Sequence, residues 1–263
     1  MNTFSKIYSL VFLVNRMLSY KKKDKTDLPI AKLGDKLVYY NDVHNPTGEG
    51  EILTSDTEER FQPLPRILTN QRNAVFISAP SGSGKSWFTA NYVKELRKLK
   101  GRGKKKVYLF SASQDEDPAY KDIPKFLKID LYNPRLGEID VNIFKDSIVV
   151  YDDWDSHPNS QVVTFLFKFL KALLERGRKL NIDVVSIVHD TLQGAKTKPI
   201  IFESTNYVLF PRASYSTTSK FLKAYMGFSS DEVKALRKLD TRTVYISKQA
   251  PQYIISDKEI RLL

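Results

Sequence analysis

Eight residues, APSGSGKS from Ala79 to Ser86, have the types and the spacing of a phosphate cradle. Gly82 and Gly84 carry no Cβ, so the backbone can turn its N–H groups inward around a β-phosphate. Lys85 follows where an ammonium reaches the β- and γ-phosphates, and Ser86 offers a hydroxyl to Mg2+. A helix starting here adds the partial positive charge of its N-terminus. The pattern is A-x-x-x-x-G-K-S, the Walker A form with alanine at the first glycine position. It assigns Pro80, Ser81, Gly82, Ser83, Gly84, Lys85, Ser86 and Trp87 to ATP binding, with Mg2+ as the accompanying cation. A Gly/Ser turn that happens to carry a lysine would show the same letters. The apolar run NAVFIS before the loop and the amphipathic stretch after it are what a cradle requires and a turn does not.

Two further stretches end apolar runs on polar groups. SIVVYDD closes on Asp152 and Asp153. One carboxylate at such a strand tip can hold the Mg2+ shell, and the next can orient or deprotonate an attacking water. Asp152 is assigned to the metal and Asp153 to the water; a solvated strand end is the structural alternative. Asp155 reads as part of the loop that follows. LLERGRKLNIDVVSIVHD ends a helix on Arg176, Gly177 and Arg178, then enters an apolar run that finishes at His189. The helix dipole alone favours cations at that position, so the arginines also fit a solvated helix end.

These groups need a frame to position them. From Asn73 onward apolar runs alternate with amphipathic stretches. Strands are expected at 73–78, 106–112, 126–131, 147–156, 182–190 and 206–211, and helices at 85–100 and 159–180, the second capped by Asn159 or Ser160. Helices at 219–226 and 229–239 and strands at 243–247 and 252–256 complete the chain. Continuously apolar strands suit a parallel sheet covered on both faces. The fold class is therefore α/β: a P-loop NTPase with a mostly parallel central sheet, helices on both faces and a short β-rich C-terminal end. Three segments are expected: an apolar and basic one at 1–25, an irregular lead-in with short strands at 26–72, and the ATPase domain at 73–263. There are no internal repeats and no low-complexity tract.

The chain has 263 residues, enough for one large α/β domain or two small ones and for a proper core. It has no cysteine, which excludes disulfides and thiolate metal sites, and its three histidines, His44, His157 and His189, have no metal-ligand spacing. The net charge of +12 suggests a polyanionic partner, solubility being the plainer explanation. GRGKKK (101–106), Lys196 and Lys198 are candidate contacts to DNA. No aromatic is interleaved with these cations, so backbone tracking is expected rather than base stacking. The apolar stretch at 7–20 is interrupted by Asn15 and Arg16 and has no small-residue cleavage site, so neither a membrane span nor a secretory signal is expected. Ile7, Leu10, Val11, Val14 and Leu18 fit one face of a helix that packs on the domain, on a neighbouring subunit or at a membrane surface.

The order of hydrophobic helix, RGRK, L-x-I, strand and polar tip resembles the FtsK/HerA superfamily of ring-forming DNA-translocating ATPases. SAPSGSGKS, FSASQDEDPAY, YDD and the β-rich C-terminal end resemble, within it, the poxvirus-type genome-packaging ATPases of large DNA viruses and of smaller viruses related to them. The resemblance covers about 70–256. It implies ATP hydrolysis with Mg2+ between subunits of a pentameric or hexameric ring. The other partners implied are double-stranded DNA, gripped without regard to sequence, and capsid or inner-membrane virion components. It places the chain inside the infected cell, in cytoplasm or viral factory, or with the virion. Lys85, Asp153, Arg176, Arg178 and His189 would be catalytic, and Ser86 and Asp152 would hold the metal. Arg176 or Arg178 matches the arginine given to a neighbour's γ-phosphate, and His189 stands where the family has a glutamine sensor. Many motor ATPases have Glu at the position of Asp153. Arg212, at a third strand tip, is a candidate phosphate contact within the subunit. Two rivals share the loop: a P-loop small-molecule kinase, and a nucleotide-binding membrane-peripheral assembly protein that uses 7–25. All the readings need Lys85, Ser86, Asp152 and Asp153 to converge on adjoining tips of one sheet.

Overall fold

The computed structural model describes residues 16–42, 52–66, 72–99, 101–190, 197–239 and 241–263. The chain opens with strands β1 (Arg16–Ser19), β2 (Leu28–Leu33), β3 (Lys36–Asp42), β4 (Ile52–Thr54) and β5 (Phe61–Pro63). It continues with β6 (Ala74–Ser78), α1 (Lys85–Lys98), β7 (Val107–Phe110), β8 (Phe126–Ile129), β9 (Ile148–Tyr151) and α2 (Ser160–Arg176). Then come β10 (Asp183–Val188), α3 (Thr197–Glu203), β11 (Asn206–Leu209), α4 (Tyr215–Met226) and α5 (Ser230–Lys238). Strands β12 (Val244–Ser247), β13 (Tyr253–Ser256) and β14 (Glu259–Leu262) close it.

Ten strands form the main sheet, in the order β4-β14-β13-β12-β11-β6-β10-β9-β7-β8. The run from β11 to β8 is parallel throughout, and the four strands beyond β11 are antiparallel. Successive side chains of a strand face opposite sides. Val75 and Ile77 of β6 accordingly join the core that α1 covers with Ala90, Tyr92, Val93 and Leu96. Ala74 and Phe76 join the core covered by Leu166, Leu170, Leu173 and Leu174 of α2, with α3 to α5. Burial on both faces explains why these strands read as unbroken apolar runs. The expected α/β architecture, helices on both faces and β-rich end are all present.

The N-terminal region departs from its reading. The helix expected through 7–20 does not hold at its far end: Arg16–Ser19 is a strand, with Leu18 opposite Tyr40 of β3. Ile7, Leu10, Val11 and Val14 lie outside the described residues. The lead-in at 26–72, expected to be irregular with short strands, supplies β2, β3 and β5, which with β1 make a four-stranded antiparallel sheet in the order β1-β3-β2-β5. A boundary at residue 25 would cut between paired strands. This sheet packs Ile30, Ala31, Val38 and Phe61 into the same core as α1, and Lys32 pairs with Glu95 of α1 at 2.7 Å. Helix α2 ends at Arg176, four residues before its expected limit, because Gly177–Asn181 turns the chain into β10. Among the described residues no helix is long and apolar enough to cross a membrane.

Candidate nucleotide-binding site

The parallel strands β6, β10 and β9 carry the site at their carboxyl ends. Register pairs Ser78 with Val188 and Tyr151 with Ser186, so Ala79, His189 and the Asp152–Asp153 pair leave the sheet side by side. The loop and the acids do not sit on neighbouring strands as expected: β10 runs between them and brings His189 with it. Ala79 N donates to Val188 O at 3.3 Å, which ties the base of the loop to that middle strand.

The loop between β6 and α1 turns through Gly82 (φ 75°) and Gly84 (φ 92°), left-handed conformations that L side chains rarely adopt. Gly84 caps α1 without a side-chain bond, leaving the first N–H groups of the helix for a ligand. Lys85 is buried, with its Nζ donating to Pro80 O at 3.0 Å; Ser83 Oγ donates to the same carbonyl at 2.7 Å. Burial lowers the lysine's pKa, and the charges of Asp152, Asp153 and Asp155 oppose that shift.

Ser86 Oγ donates to Asp152 Oδ2 at 2.9 Å, so the two proposed metal-holding groups already touch. Adjacent ligand oxygens of an octahedral Mg2+, with bonds of ~2.0–2.1 Å, stand about 2.9 Å apart. The pair therefore fits one edge of such a shell. Tyr120 OH donates to the same carboxylate oxygen at 2.7 Å. Burial raises the Asp152 pKa, the Asp153 charge adds to the rise, and the two hydroxyl bonds oppose it. Asp153 has φ 51°, a left-handed backbone that an aspartate tolerates better than most residues. Its Oδ1 lies 2.7 Å from His189 Nε2.

Ser81, Gly82, Gly84, Lys85, Ser86, Trp87, Asp117, Asp152 and Asp153 line one cavity of about 340 Å³. Trp87 is exposed at its rim. Sequence reasoning missed Asp117 and Tyr120. Both come from the FSASQDEDPAY segment, where Asp117 caps a short 3-10 turn, Pro118–Tyr120, that delivers the tyrosine to Asp152.

Arg176 and Arg178 do not join this cavity. Helix α2 leaves the carboxyl edge of the sheet after β9, and its 17 residues at ~1.5 Å each run to the opposite edge. There Ile182 N bonds Gly177 O at 2.9 Å at the start of β10. Both arginines are exposed. Arg212 follows the carboxyl end of β11, beside β6. The expected DNA contacts in 101–106 divide in two. Arg102 and Lys105 bond Asp183 at 2.9 and 2.8 Å, while Lys104 and Lys106 are exposed. Lys198 lies on α3 with its Nζ 5.8 Å from the Phe202 ring centre, and Lys196 is outside the described residues.

No family model matches the chain. It is 26% identical over 259 residues to a Sputnik virophage protein described as uncharacterized protein V3, covering 94% of this chain and 100% of that one. Similar solved structures include the genome packaging NTPase B204 from Sulfolobus turreted icosahedral virus 2 in complex with AMPPCP. That match has a TM-score of 0.46 and 11% identity, and covers 71% of this chain and 97% of that one. ATPases 2 and 3 of EssC from Geobacillus thermodenitrificans match with a TM-score of 0.47 and 11% identity, over 93% of this chain and 45% of that one.

Proposed function

We propose that this protein is an ATPase that hydrolyses Mg·ATP between subunits of a ring and moves double-stranded DNA, packaging a viral genome. The observation that carries the nucleotide part is the meeting of Lys85, Ser86 and Asp152 around one cavity, with Asp153 and His189 paired at its side. The packaging part rests on the resemblance of the motifs. A virophage protein similar along its whole length supports the viral setting.

Lys85 exchanges the Pro80 carbonyl for phosphate oxygens, a partner of opposite charge that offsets its burial. Ser86 and Asp152 would hold Mg2+, which when bound neutralises charge that develops on the phosphates. Asp153 aligns the attacking water and accepts its proton, and His189 fixes the carboxylate's direction. The arginines cannot reach the γ-phosphate of their own subunit, so a role for Arg176 or Arg178 requires a neighbour's cavity. Lys104 and Lys106 are the exposed members of their loop and the better candidates for DNA phosphate contacts.

The test is ATP turnover with and without double-stranded DNA, together with the mass of the assembled particle. Stimulation by DNA in an oligomer is expected, and Arg178→Ala mixed into native subunits should depress turnover beyond its share. Transfer of phosphate to a nucleoside or nucleotide, with no response to DNA, would replace the motor by a kinase.

A further inference from the structure

A cation far away in sequence backs the phosphate loop. Arg242, in the lead into β12, sends Nη2 to Ser83 O at 3.2 Å across 159 residues of chain. A Cβ at Gly84 would lie 2.3 Å from that nitrogen, so the guanidinium rests against the glycine itself. The arginine is held from behind. Its backbone N–H donates to Asp257 Oδ2 at 3.0 Å, Thr243 Oγ1 donates to Asp257 Oδ1 at 3.2 Å, and Asp257 N donates to Thr241 Oγ1 at 2.9 Å. Phe61 N of the N-terminal sheet donates to Asp257 O at 2.9 Å. Among the described residues its guanidinium forms no ion pair.

The carbonyl and the N–H of one trans peptide point in opposite directions. A donor that fixes Ser83 O on the outside of the loop therefore turns the Gly84 N–H to the inside, toward a phosphate. A charged donor also polarises that peptide and strengthens its N–H as a hydrogen-bond donor. We infer that Arg242 is a positioning residue of the phosphate cradle, acting on the nucleotide through the Ser83–Gly84 peptide. This rests on the phosphate-binding reading given above. It also makes the last strands and the N-terminal sheet part of the site through Asp257.

The test is equilibrium binding of fluorescent ADP, and of inorganic pyrophosphate as its competitor, to the full chain and to Arg242→Met and Arg242→Lys. Methionine keeps an unbranched stem of similar length without the donor and should weaken both ligands about tenfold, the loss of one charge-assisted bond. Lysine, which can still donate to Ser83 O, should restore most of the affinity. A second readout needs no ligand: the Gly84 amide should exchange with solvent at an altered rate in Arg242→Met and near the native rate in Arg242→Lys. Native affinity in the methionine variant, or equal losses in both, overturns the inference while leaving the cradle intact. A native chain that binds neither ligand removes the cradle and this inference together.

Discussion

The two ends of the parallel sheet carry the same ingredients, a buried aspartate and a buried lysine, in different states of completion. At the amino end Asp183 accepts from Asn73 N at 2.8 Å, Arg102 Nε at 2.9 Å and Lys105 Nζ at 2.8 Å. Lys105 turns its remaining donors to Asn181. At the carboxyl end, among the described residues, Asp152 accepts only the neutral hydroxyls of Ser86 and Tyr120, and Lys85 bonds a carbonyl instead of a carboxylate. A buried charge that finds its counter-charge inside the chain joins segments, here the 101–106 loop to β10. A buried charge whose direct hydrogen bonds go to neutral groups still has room for an ionic partner, and the proposed function supplies one from outside.

The two ends should therefore respond differently to similar substitutions. The largest effect belongs to Asp153→Asn, which keeps a partner for His189 and removes the acceptor for the water's proton. Turnover should fall by about 10²–10⁴-fold with little change in nucleotide affinity. Asp183→Asn leaves the Lys105 ammonium buried without its counter-charge and should cost about 3–5 kcal/mol in urea unfolding, with or without nucleotide. A stable Asp183→Asn that loses nucleotide binding instead would put function at the wrong end of the sheet.

Tyr120→Phe removes one of the two hydroxyl donors to Asp152, and turnover should fall about threefold to tenfold in the presence of Mg2+. The smallest effect has the most telling sign. Burial sets the folded pKa of Asp152 above its unfolded value of 3.8, so this carboxyl binds its proton more tightly when folded. Its contribution to stability is therefore fully present below the unfolded pKa and lost as pH rises through the folded one. Without nucleotide or metal, Asp152→Asn should raise the melting temperature near neutral pH by about 2–4 °C, a gain that vanishes on acidification below the unfolded pKa. With Mg·ATP the order should reverse, because only the native chain gains from the cation. A variant that melts below the native chain in both conditions would make Asp152 a structural residue like Asp183.

What could be read in the sequence follows from how local each signal is. The loop and its glycines are contiguous, and the acids and His189 end apolar runs whose parallel pairing brings their tips together, so the composition of each stretch revealed its place. Tyr120 is 32 residues from the carboxylate it bonds, and Arg242 is 159 from the loop it backs. A tyrosine in a 3-10 turn or an arginine in a surface connection has no local pattern to mark it, because the fold alone chooses its partner. The same holds for Arg102 and Lys105, which look like their neighbours Lys104 and Lys106 until Asp183 is placed beside them. The N-terminal strands were obscured for another reason. They are short and separated by turn residues, and Leu18 fitted a helical period as well as a strand facing Tyr40.

The central claim is that the carboxyl end of the sheet is a receptor for a metal-bound triphosphate. Single-turnover hydrolysis of ATP by the native chain and by Lys85→Ala, with Mg2+ and double-stranded DNA present, tests it most directly. Hydrolysis by the native chain and none measurable in the variant, with the fold of both unchanged by circular dichroism, is the expected result. Equal rates in the two would contradict the claim.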